Sequence, residues 1–270
     1  MKIPNLGSRK NRILLKELVK TDFKLRYQGS LLGYLWAVLR PMMLFAILYV
    51  VFAKILKMGS DIPHYPVYLL AGTVLWSFFS ECTNQGIQAI VARGNLLRKI
   101  SFPKWIIVVS ATVTALINFL INLGVVIIFA IINGVTPNLG WFLVPFIILE
   151  LYLLSLGISF FLGAINVKYR DISSIWEVFM QALFYAVPVI YPITMVASAS
   201  PLAAKIFLLN PIAQVIQDVR YFLITDQTIT TWNYLENRLL YLIPLGLVSL
   251  VIILGGIYFR KRSKYFAEEA

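Results

Sequence analysis

The sequence holds one cysteine, Cys82, and one histidine, His64, in 270 residues. A single cysteine excludes an intrachain disulfide. A single histidine leaves no histidine-based metal site within one chain. Charge is scarce as well: 13 % of the residues are charged, against about 25 % in soluble domains. Acidic residues are the rarer kind, twelve against twenty-four Lys and Arg. No Gly-Lys dipeptide occurs, which excludes a phosphate-binding P-loop. HExxH and GxSxG are absent too, so the familiar zinc-protease and serine-hydrolase constellations are missing. The chain reads as a protein that does no covalent chemistry and binds no cofactor of its own.

Long apolar runs are what it has. Residues of hydrophobic type make up 60 %, and several runs reach the roughly 17–25 residues that a membrane-crossing helix needs. The reading is an all-α integral membrane protein with six transmembrane helices, at about 32–56, 65–90, 105–132, 141–165, 175–193 and 240–259. Three parts follow: an amphipathic helix within 1–30, a transmembrane domain over 31–260 and a tail over 261–270. In the first, Leu14, Leu18 and Leu25 lie near one helical face, interleaved with Lys16, Lys20, Lys24 and Arg26. A basic amphipathic helix of this kind suits the membrane interface. The first apolar run lacks a small-residue cleavage site and is expected to be retained. The fifth run is interrupted by Pro188 and Pro192. Such a break is tolerated at depth only where neighbouring groups satisfy the freed carbonyls, so 187–193 is expected to turn back before crossing.

The net charge of +12 would suggest nucleic acid in a soluble protein, but these charges sit between spans. Eighteen Lys and Arg fall before span 1, after spans 2 and 4, and in the tail; five fall on the other side, and Arg40 lies within span 1. Cytoplasmic loops carry the excess. The chain is therefore expected to be multi-pass in the cytoplasmic membrane, with both termini inside and no nucleic-acid partner.

The loop Arg93–Lys104 carries four positive charges and no negative one. Orientation alone would account for them. Yet Leu96, Leu97 and Ile100 also have helical spacing, and Pro103 ends the element before span 3. A short amphipathic helix there would make a docking surface. Acids and bases within the apolar runs are the other candidates, because intramembrane charge is costly: Glu81 and Glu150, with Arg40 as a possible counter-charge. Glu177, near a span end, reads as snorkelling. Aromatics recur near helical period at Tyr34, Phe45, Tyr49 and Phe52 and again at Trp176, Phe184 and Tyr191. Such stripes are usually packing or lipid-facing material. The sharper reading is a sugar path, since aromatic faces take up the C–H faces of sugar rings without fixing them.

The stretches LLGYLWAVLRPMM, YLLAGTVLWSFFS, NLLRKISFPKW, KYRDISSIWEVFMQALFYAVPVIYPI and LNPIAQVIQDVRYFL, in that order, resemble the permease subunits of ABC-2 type polysaccharide exporters, which move O-antigen, rhamnan-type polysaccharide or teichoic acid. The resemblance runs from about Leu18 to the tail. It implies two copies of this chain and two of a separate ATPase, which would hold ATP and Mg. It implies that Asn95, Leu96, Leu97, Arg98, Lys99 and Ile100 form a cytoplasmic coupling helix seated in the ATPase, and that the N-terminal helix is an interface helix. The segment Val187–Pro192 and the helix 211–223 would be external re-entrant and gate elements. Spans 1 and 5 would line the path for a lipid-linked polysaccharide at the dimer interface, within the surrounding membrane lipid.

Other classes stay in view. An exporter of a lipid or a small drug-like molecule would share this architecture without a glycan path. A polyprenyl glycosyltransferase would need clustered acids, whereas Asp171, Asp218, Asp226 and Glu236 are scattered. A secondary transporter would show more intramembrane charge or a repeat.

Overall fold

The computed structural model describes residues 9–28, 32–59, 62–235 and 238–269; Glu236 lies outside them, as does the side chain of Tyr34. Every described element is helical. Helix α1 is Arg9–Tyr27, and α2 is Trp36–Leu48. Beyond Leu48 the same rod continues with π geometry over Tyr49–Ile55. α3 (Tyr65–Ala92) and the short α4 (Gly94–Lys99) precede α5 (Trp105–Ile132), α6 (Val144–Asn166) and α7 (Ile172–Ala186). Four short helices follow: α8 (Ile193–Ala199), α9 (Pro201–Leu208), α10 (Pro211–Leu223) and α11 (Thr231–Tyr234). α12 (Leu242–Arg262) and α13 (Phe266–Glu269) close the chain.

α3 is the centre. α5 and α6 pack along it, α12 lies along α6, α2 leans on α3 and α5, and α7 touches α3 and α6. α1 runs against α5, and α10 sits among α3, α6 and α12. The α6–α12 seam depends on small residues. A Cβ on Gly255 would lie 2.3 Å from the Gly157 carbonyl oxygen, and one on Gly157 would lie 2.8 Å from the Ile252 backbone. Close backbone approach of this kind is how membrane helices gain packing contacts where lipid is as apolar as leucine.

Four helical segments are long and apolar enough to cross a membrane: Trp36–Ile55, Trp105–Ile132, Leu139–Asn166 and Leu239–Arg262. A fifth is reached if α9 and α10, bent by 93° at Leu209–Asn210, count as one broken span. The sequence reading has six, and the two others differ for physical reasons. α3 has the length, at 28 residues, but protein surrounds it, so it carries Thr73, Glu81, Thr83, Asn84 and Gln85 where a lipid-facing helix would be apolar. α7 has 15 residues, about 22 Å at 1.5 Å each, short of the roughly 30 Å hydrocarbon core.

Helix ends follow local chemistry. Asn210 accepts from the Ile212 amide at 2.9 Å, with Pro211 in the first turn of α10; Ser200 accepts from the Ala203 amide at 3.3 Å ahead of α9. Asn and Ser are the favoured residues at that position, and proline at the first helical position loses nothing because its N–H would be orphaned anyway.

Candidate functional site

The basic end is built around Arg93. Its guanidinium pairs with Asp22 of α1, donates to the Ser110 hydroxyl at 2.7 Å and to the Ile107 carbonyl at 3.3 Å. One turn further along α1, Arg26 pairs with Glu81 of α3. Asp22 and Arg26 are four apart and therefore share a helical face. Those two ion pairs fix α1 to the bundle.

α4 projects from this anchorage. Leu97 is buried, 6 % exposed, among Ile90, Ile107, Val167 and Phe266. Leu96 is half-buried, while Asn95, Arg98, Lys99 and Ile100 are exposed. Arg98 donates to the Asn95 side chain at 3.1 Å. The expected single apolar face of Leu96, Leu97 and Ile100 is thus divided. The helix stops at Lys99, and Ile100 is extended and turns outward, so Leu97 serves as the anchor and the basic residues with Ile100 form the outer surface. Behind α4, Lys104 donates to the Ser263 carbonyl at 2.6 Å and lies over the Phe266 ring. Burial pushes the Lys104 ammonium below the ordinary lysine range, and nearby Glu268 opposes that. α1, α4, α5 and the tail therefore meet in one assembly.

Next to it, α1, α2, α3 and α5 enclose a cleft of about 440 Å³. Arg26, Arg40 and Glu81 line it together with Trp36, Asn118 and Asn122. The structure thus brings Arg40 and Glu81 into one space but does not pair them: the counter-charge of Glu81 is Arg26. Glu81 also accepts from Asn118 at 2.8 Å and from Gln85 at 3.0 Å. Arg40 is exposed and makes no ion pair or hydrogen bond among the described residues. The residue after it explains another contact. Pro41 has no N–H for the Ala37 carbonyl, four residues back. The Asn122 amide supplies the missing donor at 3.0 Å.

At the opposite end the fifth run is interrupted where Pro188 and Pro192 fall. α7 stops at Ala186, Val187 is extended, and Pro192 leads into α8. The freed carbonyls find a partner that the sequence did not disclose. Arg220 of α10, 0 % exposed, donates to the carbonyls of Pro188 at 2.7 Å and Val189 at 2.6 Å. It also reaches the Tyr68 carbonyl at 3.1 Å and the Gln217 side chain at 2.9 Å, with its carbon 3.6 Å from the Tyr68 ring centre. Gly72 makes the room: a Cβ there would lie 2.3 Å from an Arg220 nitrogen and 2.7 Å from the Val189 oxygen.

Glu150 finds its neighbour on α10 as well. The Gln214 amide lies 3.5 Å from Glu150 and donates to Asp218 at 2.7 Å. One oxygen each of Glu150, Gln214 and Asp218 is buried without a donor among the described residues. Acceptors outnumber donors in this cluster.

The aromatic candidates separate by face. Phe45 is buried, edge-on to Phe129, and belongs to the chain's own core. Tyr49 stacks on Phe45 at 5.8 Å, and Tyr49 and Phe52 are half-buried. On α7, Trp176 donates to the Thr83 hydroxyl at 3.1 Å and Phe184 meets Trp76 at 5.5 Å, so both lean on α3. The outward face of α7 carries Ile175, Val178, Phe179 and Tyr185. Positions 175, 178, 179, 182 and 185 follow helical spacing, which places Phe179 and Tyr185 on this face rather than with Trp176 and Phe184. Tyr191 donates to the Tyr185 carbonyl at 3.0 Å. Glu177 is exposed, in keeping with a snorkelling side chain.

The described residues thus form a helical bundle with a basic element at one end and, at the other, a break after α7 held by Arg220. Residues 13–224 match the family model described as ABC-2 type transporter, and the chain belongs to that family. It is 28 % identical to an O-antigen export system permease protein RfbA of Klebsiella pneumoniae, over 94 % of each chain. A Myxococcus xanthus protein of the same name is 32 % identical over 74 % of this chain and 76 % of that one. The polysialic acid transport protein KpsM of Escherichia coli is 24 % identical over 69 % of this chain and 73 % of its own.

Proposed function

We propose that this chain is the transmembrane permease of an ATP-driven exporter of polysaccharide, carried on a lipid, across the cytoplasmic membrane. The relatives named for O-antigen export and polysialic acid transport support the cargo class. The observation that carries the coupling is the division of α4: Leu97 held in the body, Asn95, Arg98, Lys99 and Ile100 facing out. A short lever of this form passes a push from outside straight to α3, α5 and the tail.

In this reading α2, α3, α5, α6, α7 together with the re-entrant segment that follows it, and α12 are the six spans, with the basic end and both termini in the cytoplasm. Two copies assemble with two copies of a separate P-loop ATPase, which holds ATP and Mg. α1 is the interface helix. α2 and α7 line the path between the copies, with Tyr49, Phe52, Phe179, Tyr185 and Tyr191 as its sugar-facing aromatics. The segment Val187–Pro192, clamped by Arg220, is the outer gate. ATP closing the ATPase pair pushes α4, tilts the spans and opens a continuous channel, through which a polymer too long to be enclosed moves stepwise.

Depletion in cells tests the cargo. Lipid-linked glycan should accumulate on the inner side of the cytoplasmic membrane. Normal surface glycan, with loss of a lipid or of drug resistance instead, would favour the other exporter reading. Arg98→Glu or Lys99→Glu should leave insertion intact and reduce transport-coupled ATP hydrolysis several-fold. Unchanged transport in both would reduce the loop's charges to topology signals.

A further inference from the structure

A second cleft lies at the end of the bundle opposite the basic loop. It measures about 600 Å³, within the roughly 300–1,000 Å³ typical of ligand sites. Three connections form it: the approach to α3, the link between α5 and α6, and the turn after α10. Its walls combine two kinds of surface. Tyr221 and Phe222 supply aromatic faces. Trp232 of α11 extends them, edge-on to Tyr221 at 5.1 Å and nearly parallel to Phe222 at 6.4 Å. Trp232 is 40 % exposed. Beside this shelf stand the exposed side chains of Asp226, Gln227 and Asn138. The Asn138 oxygen accepts from the Gly140 amide at 2.8 Å, which orients its carboxamide. The carboxylate of Asp226 and the amide of Gln227 make no hydrogen bond among the described residues.

We propose that this cleft binds a short, neutral, hydroxyl-rich stretch of glycan. The inference rests on the exporter reading, and deepens it by naming a contact for the polymer once it has emerged. Aromatic faces match the C–H faces of sugar rings, while a carboxylate and two carboxamides match pairs of neighbouring hydroxyls. The lining contains no Lys or Arg, and its one formal charge is Asp226. Phosphate-rich or acidic polymers would meet like charge there, so the cleft selects for neutral sugar. Its position ties it to the gate. Arg220 turns inward to the Pro188 and Val189 carbonyls, and the next two residues of α10 form the cleft wall. Glycan held in the cleft therefore bears on the helix that clamps the re-entrant segment.

The test uses the full chain in lipid nanodiscs. The probes are the uncharged oligosaccharides of a short-chain digest of surface polysaccharide from cells that carry this chain, released by mild acid, and oligosialic acid of matched length. Affinity is read by tryptophan fluorescence and by thermophoresis. The expected result is binding of the neutral probe, weakened at least tenfold by Trp232→Ala and by Asp226→Ala, and largely kept by Trp232→Phe. Oligosialic acid should bind at least tenfold more weakly than the neutral probe. Equal affinity in both alanine variants, or preference for oligosialic acid, overturns the proposal. So does a Trp232→Ala protein that loses thermal stability while glycan affinity stands, because the aromatics would then be interfacial anchors. Cells lacking the chain that still export glycan would sink the exporter reading itself. Normal export by a protein that binds no probe would sink this inference alone.

Discussion

Replacing Arg220 by methionine is expected to destabilise the protein and release the segment after α7. The size of the effect follows from the partners. The Pro188 and Val189 carbonyls lie outside any helix, and Arg220 is the donor that reaches them. A buried polar group left without its partner costs about 1–3 kcal/mol, so two carbonyls give about 2–6 kcal/mol. Removing a buried charge offsets part of that, since apolar replacements of buried ions are often tolerated. The Tyr68 carbonyl keeps its place in α3 and adds little. Gly72→Ala probes the same contact from the other side, because its methyl would intrude on both Arg220 and the Val189 oxygen. Overpacking of this kind costs about 1–3 kcal/mol. Because the two residues share one contact, their effects should not add, and the double variant should fall short of the sum by about 1 kcal/mol or more. Equilibrium unfolding in mixed micelles measures all three proteins. Cysteine labelling at residues 188–190 on a Cys82→Ala background reports release of the segment. An Arg220→Met protein with unchanged unfolding and unchanged labelling would refute the clamp, and additive effects would refute its link to Gly72.

Other outcomes follow from the same contacts. Glu150→Gln brings two N–H donors to a cluster rich in acceptors and should raise stability in the same unfolding assay; a clear loss would show that the carboxylate is held by a donor beyond Gln214. Asn122→Ala orphans the Ala37 carbonyl that Pro41 leaves without a donor and should cost about 1–3 kcal/mol, whereas Asn133→Ala, which removes a donor to the Phe129 carbonyl at the end of α5, should cost less. Breaking Asp22–Arg93 and Arg26–Glu81 together should loosen α1, seen as faster proteolysis after Lys16 or Lys20. Each pair is about a quarter exposed, so each should contribute at most about 1 kcal/mol, falling further in high salt. Leu97→Ala should cost about 2–5 kcal/mol as a core truncation, in contrast to stability-neutral changes at Arg98 and Lys99.

Much of the fold was legible because long apolar runs leave few options in a bilayer. Spans at 105–132 and 240–259 and the break near Pro188 could be read from hydropathy and proline alone. The central place of α3 could not, since its polar residues look like interruptions until neighbouring helices are in place around them. Arg220 was hidden for a related reason. In sequence it is one basic residue on the less basic side, and only the fold shows that its neighbours are carbonyls. Arg26 took the role expected of Arg40 because α1 docks on α3, and nothing local in the sequence signals that docking. Phe179 and Tyr185 were within reach: the spacing 175, 178, 179, 182, 185 marks an outward stripe distinct from Trp176, Met180 and Phe184.

The coupling claim is tested most directly by a photo-crosslinking amino acid placed at residue 98, activated in living cells and followed by mass spectrometry of the product. The account predicts crosslinks to the cleft of a P-loop ATPase, lost when the crosslinker is moved to the buried position 97. Crosslinks to lipid alone, or to no ATPase at any exposed position from 95 to 100, would contradict it.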